Sequence, residues 1–423
     1  MSGMLDFDDA LARLLAGANP VRETEAVPTQ AAAGRVLAHG LRSSIDVPPL
    51  DNTSMDGYAV RYADVPVAGT RLVVAQRIAA GSVGHVLAPG TAARIFTGAP
   101  LPAGADAVVM QELCAVDNGS VTVNHVPRSG EWIRRRGEDI AAGGEVLAAG
   151  TRLSAAHVGV AASVGAAQLT VFRRLRVALF STGDELAMPG EALKPGGIYN
   201  SNRYTLRALL EGLGCEVADL GIVPDSREAT RAALRDAAAG NDLILTSGGV
   251  SVGEEDHVKP AVEAEGSLDL WKIAIKPGKP LAFGNVMRSG IHADGASSLC
   301  VPGIPLRGQV TAASFIGLPG NPVSSFVTFI MLVRPFILKA QGASDVTARA
   351  QALRADFECK GDPRREFLRA RINATGGLEL FANQSSGVLT SCTWADGLID
   401  NAPRQAIARG DTVRFLPFSD LLQ

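Results

Sequence analysis

The chain has 423 residues, 47% of them hydrophobic and 20% charged, with a formal net charge of −3. That length exceeds one ordinary domain and predicts roughly two to four. The balance excludes a disordered acidic or polybasic chain and leaves no basic excess to advertise nucleic-acid binding. The opening residues, Met1-Ser-Gly-Met-Leu-Asp-Phe-Asp-Asp, lack the basic segment and apolar core of a signal peptide. The apolar run 326–333 is too short to span a bilayer and is expected to be closed by Arg334-Pro335. Five cysteines, odd in number and with no CxxC pair, argue against structural zinc or a disulfide framework and point to a reducing cytoplasm.

Leu5, Phe7, Leu11, Leu14 and Leu15 lie at helical spacing before Gly17, which predicts a helix over residues 5–16. The alanine-rich stretch 27–41 fits either helix or strand. From 51 to 139 short Val-rich runs (72–75, 107–110, 121–123) alternate with Gly and Pro and predict a small β domain. A helix over 154–163 follows and is expected to pack with the N-terminal one. Strands over 176–181, 217–223, 242–246 and 268–275 then alternate with helices over 202–213, 227–239 and 258–264. The run Phe315-Ile-Gly-Leu leads into a further helix from Pro322. Such alternation of apolar runs predicts a parallel, doubly wound sheet covered on both faces, with ligands at the carboxyl ends of its strands. After 340 the runs 367–372, 378–381 and 412–416 predict a C-terminal β domain.

Three loops leave predicted strand ends: Ser181-Thr-Gly-Asp-Glu185, Ser247-Gly-Gly-Val-Ser-Val-Gly253 with Glu254, Glu255 and Asp256 behind it, and Pro319-Gly-Asn-Pro322. Glycines let a backbone approach an anion, amides at a helix start cradle phosphate, and carboxylates can hold a divalent cation beside it. Each loop also has a plain reading. Asn321-Pro322 is a good helix start, Asp225-Ser-Arg-Glu228 has capping-box character, and residues 254–256 suit a helix dipole. Lys272 and Lys276, four apart on an expected strand, would share one sheet face, and Lys279 follows them. They are either solvated charges or an oxyanion site beside the phosphate loops. Arg134-Arg-Arg136 is a second basic run. Gly249-Val-Ser-Val-Gly253 matches a nucleophile elbow formally, yet three carboxylates follow at once and no suitably placed histidine completes a triad. The sequence contains no P-loop and no His-Glu-x-x-His.

Six motifs in order, Pro48-Pro-Leu-Asp-Asn-Thr-Ser-Met-Asp-Gly-Tyr-Ala59, Arg94-Ile-Phe-Thr-Gly-Ala-Pro100, residues 181–185, residues 247–253, Ile275-Lys-Pro-Gly-Lys-Pro280 and Leu318-Pro-Gly-Asn-Pro322, resemble the bacterial molybdopterin molybdenumtransferases, a family that includes the gephyrin E domain. The resemblance implies an α/β and β multidomain chain. Its parts would be a discontinuous N-terminal domain (1–50 and 140–172), an inserted β domain (51–139), a doubly wound molybdopterin-binding α/β domain (173–341) and a C-terminal β barrel (342–423). It also implies a homodimer whose cleft is shared between subunits. The substrates would be adenylylated molybdopterin and molybdate, with Mg²⁺ or another divalent cation assisting. Matched residue by residue, the functional carboxylates fall on Asp56, Glu185, Asp225 and Asp256, with Glu185 and Asp225 holding the metal. Substrate contacts fall on Thr97, Ser181, Thr182, Ser247, Gly248, Gly249, Ser251, Lys272, Pro319, Gly320 and Asn321. A molybdate site falls on Lys276, Lys279 and Pro280, completed by Arg369 and Ser386. For Asp225 the resemblance outweighs the capping reading. The adenylyltransferase that makes the substrate and the apoenzymes that receive the cofactor would be further partners, with no nucleic acid and no membrane.

Three features depart from the family pattern: the long Gly-, Ser- and Pro-rich link 285–313, Thr53-Ser54 in the first motif, and Asp396-Gly397 near the end. Two other functions fit the same motifs: a molybdopterin adenylyltransferase, which needs the α/β domain alone, and a non-catalytic scaffold, which would not need to keep the carboxylates.

Overall fold

A computed structural model of the chain describes residues 4–249, 257–288 and 312–422. The N-terminal helix is Phe7–Gly17, started by the Asp6 carboxylate, which accepts the Asp8 amide at 2.9 Å. Its buried face is Phe7, Ala10 and Leu14. The Phe7 ring meets Phe367 edge-on at 5.3 Å, and the helix contacts Arg334–Ala340. The second helix, Ala155–Ser163, belongs to a different core with Val27, Leu37, Leu147, Leu169 and Val171. The expected pairing of these two helices is therefore corrected. Ala155–Ser163 buries only Ala161 fully, a narrow face that fits against strand residues rather than against a bulky helix. Strand Thr24–Pro28 pairs antiparallel with Gln168–Phe172, joining segments from either side of the first large sheet.

That sheet has six strands in the order Ala107–Met110, Gly57–Val60, Thr91–Ile95, Thr70–Ile78, Ser120–Val123 and Cys114–Asp117. All three predicted Val-rich runs lie within it. Period-two alternation sends Tyr58 and Val60 into one core and Ala59 into another, so the sheet is covered on both faces.

The second six-stranded sheet runs Glu216–Val223, Arg176–Thr182, Leu243–Ser247, Ala312–Leu318, Pro280–Met287 and Gly266–Lys272. Its first four strands are parallel, as alternating helices and strands require. The fifth, Pro280–Met287, is antiparallel to both neighbours, so the expectation of a wholly parallel sheet is corrected to a mixed one. Val177 and Leu179 face one core while Ala178 and Phe180 face the other, which makes this the doubly wound arrangement. The predicted strand 268–275 ends at Lys272. Ile275–Lys276 pairs instead with Arg365–Glu366 in the third sheet, so Lys272 and Lys276 do not share a sheet face.

Helical structure runs without a break from Pro322 to Ala340, through Arg334-Pro335, rather than stopping there. A proline inside a helix costs about 3 kcal/mol because it lacks an N–H and crowds the preceding turn. The chain accommodates it with a π-helical turn, Phe329–Val333, just before the proline, where the Arg334 amide bonds to the Phe329 carbonyl. Burial of Phe329, Leu332, Val333, Phe336 and Ile337, each worth about 1.5–3 kcal/mol, outweighs the penalty. By length and composition this helix could cross a membrane, but 94% of it is buried inside the protein, where it forms the centre of the largest core.

The third sheet joins Leu378–Leu380, Arg365–Ile372, Gly397–Asn401, Thr412–Pro417 and Gln351–Arg354. A bridge from Ala355 back to Leu378 closes the circle, giving a C-terminal barrel around Leu368, Ala370, Ile399 and Phe415. Within the link 285–313, the strands Pro280–Met287 and Ala312–Leu318 occupy the two ends, and residues 289–311 lie outside the described residues.

Candidate active site

The three predicted loops meet at the carboxyl end of the parallel strands, on one cleft of about 930 Å³. From the Arg176–Thr182 strand end come Thr182, Gly183 and Glu185; from Leu243–Ser247 come Ser247, Gly248 and Gly249; from Ala312–Leu318 come Pro319, Gly320 and Asn321. Gly248 and Gly249 have φ of +91° and +67°, which side-chain-bearing residues rarely adopt. A Cβ on Gly249 would also stand 2.4 Å from Val258 Cγ2 and 2.8 Å from Thr182 Oγ1, so both conformation and space demand glycine.

Asn202, in the first turn of the helix Ser201–Gly212, ties two of the loops together. Its Nδ2 donates to Ser247 Oγ and to the Gly320 carbonyl, each at 2.7 Å. Beside it, Asn200 caps the same helix by accepting the Arg203 amide at 3.1 Å, and its buried Nδ2 finds no acceptor among the described residues. An unsatisfied buried donor in a cleft wall is costly unless a ligand supplies the acceptor. Neither asparagine is distinguishable in the sequence from an ordinary helix start.

Among the described residues, two carboxylates line the cleft, Glu185 and Asp225. The capping reading of Asp225 does not hold, because Ser226 is the N-cap of Arg227–Gly240 and accepts the Ala229 amide at 3.3 Å. Asn321 likewise makes no side-chain capping bond, although Pro322 follows at the first helical position.

A second part of the lining is cationic. Lys276, Pro277, Gly278, Lys279 and Pro280 line it together with Arg364, Gln384, Ser385 and Ser386 from the barrel. Lys276 Nζ lies 3.1 Å from both Asp362 and Glu366. Burial pulls its pKa down, but these two hydrogen-bonded carboxylates more than reverse that and hold it above the usual lysine value. Burial pushes Asp362 up, but Arg364, its backbone amide and Lys276 prevail and bring it down to about 2.

Several expected residues lie elsewhere. Arg369 is 1% exposed and does not line the cleft. It sits on the core side of its strand with Phe367, donating to Ser391 Oγ at 3.2 Å and to the Phe367 carbonyl at 3.3 Å. Its backbone is clasped by Gln384, which places Arg369 behind the loop 384–386 rather than in the cleft. Arg364, five residues earlier, is the arginine that reaches the wall. Ser181 is fully buried, with its hydroxyl unpaired among the described residues, and Lys272 is exposed; neither lines the cleft. Ser251 and Asp256, and with them the formal nucleophile elbow, lie outside the described residues.

Asp56 and Thr97 come together, but away from this cleft's lining. Asp56 Oδ1 accepts both the Thr97 amide and the Thr97 hydroxyl at 2.7 Å, and these bonds hold its carboxyl below the usual range. Both residues lie on the first large sheet, at turns beside Gly57–Val60 and Thr91–Ile95.

A doubly wound sheet with a polar cleft at its strand ends, an inserted β sheet and a terminal barrel define a multidomain α/β and β protein with a ligand site at the strand ends. Residues 178–339 match the probable molybdopterin binding domain, residues 5–165 the MoeA N-terminal region (domain I and II), and residues 352–418 the MoeA C-terminal region (domain IV). The chain is 38% identical to a molybdopterin molybdenumtransferase of Haemophilus influenzae, over 99% of this chain and all of that one. It is 35% identical to one of Nostoc, covering 94% and 89%. A crystal structure of the molybdopterin biosynthesis MoeA protein from Pyrococcus horikoshii OT3 matches with a TM-score of 0.79 at 26% identity, covering 98% of this chain and all of that one. The chain belongs to the MoeA family.

Proposed function

We propose that this protein is a molybdopterin molybdenumtransferase, placing molybdate on the dithiolene of adenylylated molybdopterin and giving molybdenum cofactor and AMP. The observation that carries this reading is one cleft with two unlike walls. A glycine and hydroxyl wall at the strand ends suits a phosphate, and Lys276, Lys279 and Arg364 in the same cleft suit an oxyanion. The glycine loops let backbone amides close on the pyrophosphate, and Asn200 Nδ2 offers it a further donor. The lysines hold molybdate beside the sulfurs and offset its charge, which raises its effective concentration there. The dithiolene supplies the nucleophiles, so no protein nucleophile is needed.

Glu185 and Asp225 are hard oxygen donors on the phosphate side, and they fit Mg²⁺. No group of three or more His, Cys, Asp or Glu forms a cage among the described residues, and Mg²⁺ is commonly held by one or two carboxylates plus phosphate and water. Bound there, the ion would polarise the phosphate bridge between pterin and AMP. Asp56 and Thr97 are ordered by each other yet absent from the cleft, which supports a homodimer whose partner subunit brings them to it. A reducing cytoplasm suits both the dithiolene and the cysteines. An adenylyltransferase would supply the substrate, and molybdenum-dependent apoenzymes would take the product. An adenylyltransferase reading of this chain itself leaves residues 5–165 and 352–418 without a role.

The oxyanion wall is tested by Lys279→Ala. A desolvated, charge-assisted contact is worth about 1.5–3 kcal/mol, so the molybdate concentration for half-maximal turnover should rise about tenfold or more. Affinity for the adenylylated pterin should stay nearly unchanged. Equal losses in both would reassign the lysine to phosphate recognition.

A further inference from the structure

The three cations of the oxyanion wall are not equivalent. Lys279 is exposed and makes no ion pair among the described residues. Lys276 Nζ is 3.1 Å from Asp362 Oδ2 and 3.1 Å from Glu366 Oε1. Arg364 gives its Nε to the other oxygen of Asp362 at 3.1 Å. Asp362 and Glu366 do not line the cleft, so they stand directly behind two of its cations. Glu366 is 2% exposed, and its second oxygen takes the Asp362 amide at 3.2 Å and Asn401 Nδ2 at 3.5 Å. Both carboxylates are thus fixed by the barrel.

A purely structural role for this pair is the plain alternative, a stitch between Ile275–Lys276 and the barrel. The backbone already makes that stitch, through the parallel pairing of Ile275–Lys276 with Arg365–Glu366 and the Arg365 amide bond to Ala274. A second carboxylate on one lysine adds desolvation cost that a stitch does not require.

Resting on the oxyanion site proposed above, we infer that Asp362 and Glu366 are positioning residues that aim Lys276 and Arg364 at the cleft while offsetting their charge. Among the described residues, two carboxylates behind three cations leave this wall one net positive charge. A tetrahedral dianion is therefore oriented by several donors without being held so tightly that its transfer to the dithiolene slows. Tighter ground-state binding of molybdate would lower the concentration needed and lower turnover with it.

The test uses the full chain and sodium molybdate, followed by calorimetry and by turnover, for Glu366→Gln and Asp362→Asn. Removing one charge beside Lys276 should tighten molybdate binding about tenfold, since the interaction crosses a partly buried wall. KM for molybdate and kcat should fall together. Asp362→Asn, at the more exposed of the two positions, keeps the test available if Glu366→Gln fails to fold, and melting temperature is read on the same samples. A stitch alone predicts a lower melting temperature with molybdate affinity unchanged or weaker, and that result overturns the inference. If Lys279→Ala leaves molybdate affinity intact, the oxyanion site itself is misplaced and the inference falls with it. If Lys279→Ala weakens binding but neither carboxylate variant tightens it, only the counter-charge role is lost.

Discussion

Glu185→Gln is expected to leave the protein folded, to lose about a hundredfold or more in turnover, and to flatten the response to Mg²⁺. Two features place the carboxylate. Gly183, at φ +142°, lets the loop turn so tightly that a Cβ there would stand 2.5 Å from Glu185 Oε2. The Glu185 carbonyl accepts the Ile198 amide at 2.8 Å, which anchors the loop to the short pairing of Leu186–Ala187 with Ile198–Tyr199. A carboxylate at a pyrophosphate site repels its substrate unless a cation intervenes, so replacing it with the isosteric amide should abolish the metal dependence along with the rate. The competing role, an interdomain salt bridge, has little to stand on: Glu185 makes no ion pair among the described residues. Turnover against Mg²⁺ concentration, with melting temperature for both proteins, decides the matter. A Gln variant with ordinary turnover and an unchanged Mg²⁺ response would remove Glu185 from the mechanism.

Asp56→Ala and Asp225→Ala should each be inactive as pure homodimers and should regain activity when subunits are exchanged. The reason is geometric. Asp225 lines the cleft, whereas Asp56 is held by Thr97 on a sheet whose turn does not reach it. If each working site takes Asp225 from one subunit and Asp56 from the other, a mixed dimer has one intact site and one doubly defective site. Random exchange in a twofold dimer should then restore about a quarter of the unmutated activity. Refolding or co-expressing the two variants and assaying the mixture measures this. No recovery, with mixed dimers shown to be present, would rule out the shared cleft.

The cleft's phosphate wall was legible in the sequence because each of its loops follows an apolar run and carries residues that are poor choices for anything but a turn or a close approach. What stayed hidden depended on tertiary pairing. Pro280–Met287 reads as a broken run because Gly284 interrupts it. In the sheet Gly284 is required, since a Cβ would lie 2.1 Å from the Ser267 carbonyl of the neighbouring strand. Arg369 was expected in the cleft because the family resemblance matched the arginine of the last domain to it. Strand alternation instead puts it on the same face as Phe367, and its buried guanidinium is satisfied by Ser391 and backbone carbonyls. Arg364 then reaches the wall from the turn before that strand. Lys272 and Lys276 were placed on one face by period-two counting, which fails once the chain leaves one sheet and enters another between them.

The central claim is molybdate insertion into an already adenylylated pterin. Purified protein should be incubated with molybdate and Mg²⁺, in one reaction with preformed adenylylated molybdopterin and in another with molybdopterin and ATP. AMP and active molybdenum cofactor are expected in equal amounts from the first reaction and not from the second. Adenylylation of molybdopterin by the second reaction, or no release of AMP from the first, would contradict the assignment.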